Sequence, residues 1–312
     1  MSEELTTSVA KGPRIWAIGG GKGGVGKSVI ATNLAATLCR GGSRVVLVDA
    51  DLGGANLHTL LGVPNPKTNL ADFISKRVPN LSDVMTPTPV KNLWLVSGAR
   101  ALVDMANPNF GQKGKILRHI NALDADHVVI DLGAGSGFNV IDFFLVARKG
   151  ILVVVPEPTS VENAYHFLKA AFFRKLKRAE PRTRVRAAVE EVMNGSQRDS
   201  VRTPRDLISR VWAVDPDVGA ALVAEASSFR PALIINRVDH PKHRQLGEDM
   251  VTACREYFGI RLRFLGGLPN DQVVGRSVVE QRPAAEFFPQ IPFVTAVHEM
   301  VDRLTYVRRR TA

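Results

Sequence analysis

Eight residues, Gly21-Lys-Gly-Gly-Val-Gly-Lys-Ser28, constrain this chain more than any others. They satisfy the spacing G-x-x-x-x-G-K-[ST], the P-loop pattern. The glycines allow a tight turn in which successive backbone N–H groups aim at one point, so Gly21, Lys22, Gly23, Gly24, Val25 and Gly26 form a cradle for phosphate oxygens. Lys27 then reaches the β- and γ-phosphates, and the Ser28 hydroxyl ligates Mg²⁺. Such a loop works only between a strand and a helix, because the helix N-terminus adds its unpaired N–H groups and dipole. The apolar run Ile15–Ile18 supplies the strand and the pattern Ile30–Arg40 the helix.

The same alternation continues along the chain. Val45–Val48, Leu93–Val96, Val128–Ile130, Ile151–Val155, Ala232–Ile235 and Leu262–Leu265 are short, nearly continuously apolar and rich in β-branched residues. Runs of this kind suit parallel strands covered on both faces. Amphipathic stretches over Gly114–Leu123, Ser160–Arg178 and Gln245–Phe258 separate them. The expectation is an α/β fold: a doubly wound, mostly parallel sheet with helices on both faces. Residues 179–230 break the rhythm. They hold helical patterns punctuated by Pro181, Asn194-Gly195, Pro204 and Pro216, and read as a helical insertion within one domain spanning residues 1–312.

Carboxylates follow two of the strands. Asp49 and Asp51 leave the second strand at its C-terminal end, where open α/β sheets place their ligands. Asp131 ends Val128-Val-Ile-Asp131 in the form of a Walker B aspartate, which holds Mg²⁺ directly or through water. The glycine-rich Leu132–Gly137 comes next, a loop able to move with a γ-phosphate. Cys39 and Cys254 are the two cysteines, with no C-x-x-C, which argues against an iron–sulfur or zinc site on one chain.

Beyond the generic pattern, Lys22 is a second lysine for which nucleotide binding within one chain has no use. The stretch Lys22-Gly-Gly-Val-Gly-Lys-Ser28 resembles the deviant Walker A motif of the MinD/ParA superfamily, and Asp49-Ala-Asp-Leu-Gly-Gly-Ala-Asn56 resembles that family's switch I. Gly133-Ala-Gly135, Val155-Pro-Glu-Pro-Thr159 and Asn163-Ala-Tyr165 look like the FlhG branch. The resemblance covers residues 14–178 and 231–307. It implies that Lys22 reaches across an ATP-dependent homodimer to the partner's nucleotide. It further implies that Asp51 positions or deprotonates the attacking water and that Asp49 supports the Mg²⁺ shell. Asn236 and Arg237, in Ile234-Ile-Asn-Arg-Val238, match the adenine-contacting segment, and Pro269, in Gly267-Leu-Pro-Asn-Asp271, matches the loop that closes over the base. The N-K-x-D of guanine-specific relatives is replaced by Asn236-Arg-Val-Asp239, so ATP is expected. Two features depart from the branch: the 179–230 stretch, and an N-terminus without D-Q-A-x-x-L-R.

The functional expectation is a regulatory ATPase, an ATP-dependent dimer whose slow, partner-stimulated hydrolysis times the placement of flagella, septa or other cargo. A ParA-like DNA-binding partition ATPase is the alternative, and a nucleotide-gated binding module with negligible turnover is a different class. A formal charge of +11 favours DNA phosphates or an anionic membrane surface as the matrix. Two segments offer it: the basic run Arg174–Arg186, and the helical pattern Val294, Val297, Val301 and Leu304 followed by Arg308-Arg-Arg310. A packed final helix with a polar tail is the plainer expectation for the latter. With a polar N-terminus and no apolar run long enough to span a bilayer, the chain reads as cytoplasmic or peripheral to membrane or nucleoid.

Overall fold

In a computed structural model, residues 12–51, 53–64, 66–98, 110–179 and 203–305 are described. Their strands form one sheet in the order β3-β4-β2-β5-β1-β6-β7-β8. The strands are β1 (Arg14–Gly19), β2 (Val45–Ala50), β3 (Met85–Pro87), β4 (Leu93–Val96), β5 (His127–Leu132), β6 (Lys149–Val154), β7 (Ala232–Val238) and β8 (Arg263–Pro269). All adjacent pairs are parallel except β3 with β4. The expected doubly wound sheet is present, and β1, which feeds the P-loop, lies near its middle between β5 and β6.

Alternation along β1 shows why both faces are covered. Ile15 and Ala17 enter one apolar cluster, with α4 (Phe110–Asn121), α5 (Phe138–Val146) and α6 (Pro158–Ala179). Trp16 and Ile18 enter the other, with α1 (Lys27–Arg40). Two short helices, α2 (Leu57–Leu60) and α3 (Leu70–Ile74), follow β2. Between β6 and β7 the described part of the 179–230 stretch is helical: α7 (Pro204–Val214) and α8 (Pro216–Ser228). Each opens with proline just inside its first turn and an oxygen cap, from Thr203 and Asp215, which is why the prolines start helices here.

Three elements differ from the sequence reading. The edge strand β3 was not foreseen, because three residues carry no periodicity. The expected helix Gln245–Phe258 begins earlier, as α9 (Pro241–Ala253), and ends in a π-turn over Cys254–Phe258. The strand expected at Leu262–Leu265 runs on through Gly266 and Gly267 to Pro269. Gly266 sits at φ 136, where the register with β7 shifts, so the strand passes through a bulge there.

After β8 come α10 (Gln272–Val279), α11 (Ala284–Phe287) and α12 (Pro292–Thr305). The apolar stripe of α12, Val294, Val297, Val301 and Leu304, is buried against α1 and β8. The packed final helix is therefore the expectation that is met, and the alternative of a membrane-facing stripe is set aside because the face is already occupied; Arg308–Arg310 lie outside the described residues. The basic run from Arg174 is likewise altered. Arg174 donates to Asp142 (2.9 and 3.2 Å) and Lys175 pairs with Glu225 at 2.5 Å, while the side chains from residue 177 to 186 lie outside the described set. Both cysteines are free and buried. Among the described residues no helix is long and apolar enough to cross a membrane.

Candidate functional site

The carboxyl ends of β1, β2 and β5 converge on one point. In the β2–β5 ladder Asp49 stands directly opposite Asp131, and Ile18 of β1 stands opposite Asp131 on the other side. The chain then turns through Gly20–Gly26 into α1. Gly26 caps that helix at φ 92 with no side-chain cap, so the first N–H groups of α1 stay open toward the loop. Gly24, at φ 77, makes the other left-handed turn. Gly21 is required for a different reason: a Cβ there would overlap the Asn163 carbonyl of α6.

Lys27 is buried, and burial holds its ammonium below the usual lysine pKa against the opposing pull of Asp131 and Asp51. Asp131 is 1 % exposed, and its Oδ1 has no hydrogen-bond partner. Burial pushes its carboxyl up to about 7, the charges of Asp49 and Asp51 add to that, and Ser28 and Lys27 oppose it. A buried carboxylate oxygen left unpartnered beside a serine hydroxyl and a lysine is costly in itself. It fits a hard divalent cation, and Ser28 with Asp131 supply the oxygen chemistry that Mg²⁺ takes from protein beside phosphate ligands. No group of three or more His, Cys, Asp or Glu suited to a metal occurs among the described residues.

Asp49 is engaged differently. Its Oδ1 accepts from the Asp51 N–H at 3.2 Å, and its Oδ2 from Asn56 at 3.0 Å and Leu57 at 3.1 Å. Burial pushes it up to about 6 despite these bonds. It ties down the ends of the loop that carries Asp51. Asp51 itself is half-buried; it accepts from the Gly54 N–H at 3.1 Å and faces Gly133 of the glycine-rich loop. That loop touches the P-loop, with the Gly135 N–H donating to the Gly20 carbonyl at 3.3 Å.

At the rim, Lys22 points along its own chain to the start of α6, 3.2 Å from Thr159 Oγ1 and 3.5 Å from Glu157 Oε2. Both charged groups of the pair are about half exposed, so water competes and the tie is weak. On the other side, Asn236 at the end of β7 donates from Nδ2 to the Val25 carbonyl of the P-loop at 2.9 Å. Gly26 passes so close that a Cβ would lie 2.5 Å from the same nitrogen. Arg237 follows at φ 56 with its side chain exposed, and Val238 pairs with Pro269 at the end of β8. The structure therefore brings Gly21 to Ser28, Asp49, Asp51 and Asp131 into one cluster, with Asn236, Arg237 and Pro269 on its flank.

Sequence reasoning missed how the loop is held from behind. Asn33 of α1 accepts from the Ala285 N–H at 2.8 Å, and Arg40 donates to the Ala285 carbonyl, fixing α11 to the P-loop helix. It also missed the buried set on α5, where Asp142 meets Lys113 at 2.6 Å and Arg174. Nothing local in the sequence marks these partners.

The geometry is a nucleotide-binding one, and comparison with known proteins gives it a family. The sequence matches the CobQ/CobB/MinD/ParA nucleotide binding domain over residues 16–284. The chain belongs to this family. Among curated relatives, the antiactivator FleN of Pseudomonas aeruginosa is 30% identical over 279 residues, covering 89% of this chain and 81% of FleN. The septum site-determining protein MinD of Helicobacter pylori is 37% identical over 150 residues, 46% of this chain and 53% of that one. Among solved structures, MinD of Pyrococcus horikoshii complexed with Mg-ADP superimposes with a TM-score of 0.64 at 20% identity, covering 94% and 96% of the two chains. The expected MinD/ParA membership, with its FlhG-like character, and the expected fold are both found.

Proposed function

We propose that this MinD/ParA family protein binds Mg²⁺ and ATP at the P-loop, hydrolyses ATP slowly, and switches between monomer and ATP-bound homodimer. The observation that carries the reading is the unpartnered, buried Oδ1 of Asp131 beside Ser28 at the foot of an open helix N-terminus. Gly21–Gly26 cradle the phosphates, Lys27 contacts the β- and γ-phosphates, and Ser28 and Asp131 hold Mg²⁺. When bound, Mg²⁺ neutralises charge on the phosphates. Asp51, beside Gly133, orients water for attack. Asp49 braces the Asp51 loop, because both of its oxygens serve backbone N–H groups. Asn236, whose amide nitrogen sets the P-loop, contacts adenine through its side-chain carbonyl, together with Arg237 and Pro269.

Lys22 supplies the dimer switch. Its tie to Glu157 and Thr159 is weak enough to exchange for a partner's triphosphate. Two such loops repel until ATP provides the countercharge, and hydrolysis with phosphate release removes it. The 312 residues act as one domain, with residues 179–230 as its insertion. FleN is named an antiactivator and MinD a site-determining protein, so the output is control of a partner protein in placement of a cell structure, and that partner stimulates turnover. The switch operates in the cytoplasm.

Light scattering tests this. Asp51→Ala with ATP gives a dimer, ADP gives monomer, and adding Lys22→Ala restores monomer with ATP. Equal dimerisation in the apo, ADP and ATP forms overturns the switch.

A further inference from the structure

The end of α9 carries aromatic surface that the nucleotide site does not use. There the helix widens into the π-turn Cys254–Phe258. Single π-turns within helices recur at functional sites, because the extra residue re-aims the side chains around it. Cys254 is buried in the core, Phe258 is half-buried, and Tyr257 is left 62 % exposed. The turn meets α6, where the Tyr165 ring lies 6.0 Å from that of Phe258 with the two planes tilted by 32°. The start of α7 closes a third side, fixed by Thr203, whose hydroxyl oxygen caps the helix by accepting from the Asp206 N–H at 3.2 Å.

These elements enclose a pocket of about 530 Å³, lined chiefly by Tyr165, His166 and Lys169 of α6, by Thr203, and by Tyr257 and Phe258. Its wall is mostly ring and aliphatic carbon, and its described lining includes no carboxylate. Lys169 is half-buried and has no ion-pair partner among the described residues, whereas Lys175 further along α6 has Glu225. His166 has Glu162 at 3.8 Å, both largely exposed, so water screens that pair. Burial, then the charges of Cys254 and Asp249, push the Tyr165 hydroxyl up to about 12, so it stays protonated and able to donate. The pocket is thus an aromatic wall with one uncompensated ammonium and one hydroxyl donor.

We propose that this pocket is a second ligand site, which binds a small planar aromatic molecule carrying one anionic group. Its volume falls within the roughly 300–1,000 Å³ of organic-ligand sites, and an apolar wall with a few polar groups is the usual make-up of such sites. The exposed Tyr257 ring, beside the less exposed Tyr165 and Phe258, offers a face for offset stacking. Lys169 supplies the countercharge, and no lining carboxylate repels an anion. A neutral apolar ligand would cover the Lys169 ammonium without pairing it, and a cation would be repelled by it. A protein segment is the poorer fit, because the apolar surface is confined to the pocket. Trp212 of α7, 46 % exposed, is the other exposed aromatic on these elements among the described residues, and it lies outside the lining. The lining shares no residue with Gly21–Ser28, Asp49, Asp51 or Asp131, so the site is distinct from the nucleotide cleft.

The test is a fluorescence titration of the full-length protein with anilinonaphthalene sulfonate, a fused aromatic ring system bearing one negative charge, with and without Mg-ADP. Wild type should bind a single equivalent of dye, and Mg-ADP should leave that binding in place. Naphthoate should displace the dye, and naphthalenemethanol, the same rings without the charge, should do so roughly tenfold less well. Tyr257→Ala and Lys169→Gln should each weaken dye binding by roughly tenfold, the first through lost stacking and the second through the lost charge. Trp212→Ala, which removes an exposed ring outside the pocket, should change it less than twofold. Neither Tyr257 nor Lys169 is buried, so the variants should keep the wild-type circular dichroism spectrum and melting temperature. Absence of dye binding by folded wild type overturns the proposal, as does equal competition by the uncharged alcohol or an equal loss in Trp212→Ala. Displacement of the dye by Mg-ADP would put it in the nucleotide cleft and overturn the proposal as well.

Discussion

Replacing Asp131 by asparagine should make the nucleotide-free protein more stable at alkaline pH, although it removes a functional group. The reason is the sign of the Asp131 shift. Burial raises its folded pKa to about 7 from an unfolded value near 3.8. Between those values the unfolded chain is ionised while the folded chain holds a proton, so wild-type stability falls as pH rises through the window. Each pH unit inside it costs about 1.4 kcal/mol, so from pH 5 to pH 8 the loss is roughly 2–3 kcal/mol. The charge of buried Asp49 acts on Asp131 in the same direction as burial, so the two carboxyls titrate as a pair. The uncharged amide of the Asp131→Asn variant carries no such penalty. That amide lacks a partner where Oδ1 now lacks one, a cost of about 1–3 kcal/mol that is the same at both pH values and cancels in their difference. At about 2 °C per kcal/mol for a chain of this size, the melting-temperature difference between variant and wild type should shift by roughly 5 °C in favour of the variant from pH 5 to pH 8. Scanning calorimetry without nucleotide at the two pH values measures it. Adding Mg²⁺ and ATP should stabilise wild type far more than the variant. A variant-minus-wild-type difference that is identical at pH 5 and pH 8 refutes the burial argument.

Other outcomes follow from single contacts. Asn236→Ala leaves the Val25 carbonyl without its donor and should cost about 1–3 kcal/mol in urea unfolding while weakening ATP binding; calorimetry showing wild-type affinity would detach Asn236 from the P-loop. Gly21→Ala drives a Cβ into the Asn163 carbonyl and should abolish ATP binding, whereas Gly24→Ala has open space and only its φ of 77 to overcome, about 1–2 kcal/mol; equal effects of the two would contradict the packing. Asp142→Asn leaves Lys113 buried without its countercharge and should destabilise by about 3–5 kcal/mol, read as a lower urea midpoint at unchanged slope; a neutral result would mean that the α4–α5–α6 set is not a tight one.

What the sequence determines by itself is local. The glycine spacing from Gly21 to Gly26, with Lys27 and Ser28, dictates a phosphate loop because the backbone conformations and donor groups are written in consecutive residues. The apolar runs dictate strands, and their alternation with helical periods dictates a parallel, doubly wound sheet. Asp49, Asp51 and Asp131 are legible as site residues because each ends an apolar run. What those carboxylates do is decided by strand order, which no local pattern states. Only the placement of β5 between β2 and β1 sets Asp131 against Asp49 and leaves its Oδ1 buried and open, while the loop after β2 folds back to occupy both oxygens of Asp49. Only the path of β7 lets Asn236 hold the P-loop from 211 residues away. The basic residues show the same division. As a run, Arg174 and Lys175 read as a polyanion surface, yet packing turns them onto Asp142 and Glu225. Lys169, on the same helix, has no carboxylate partner among the described residues and lines a pocket with Tyr257 and Phe258, because the fold brings the turn after α9 to α6. Side-chain chemistry is carried residue by residue, but whether a charge is paired, buried or left open depends on neighbours that only the assembled sheet supplies.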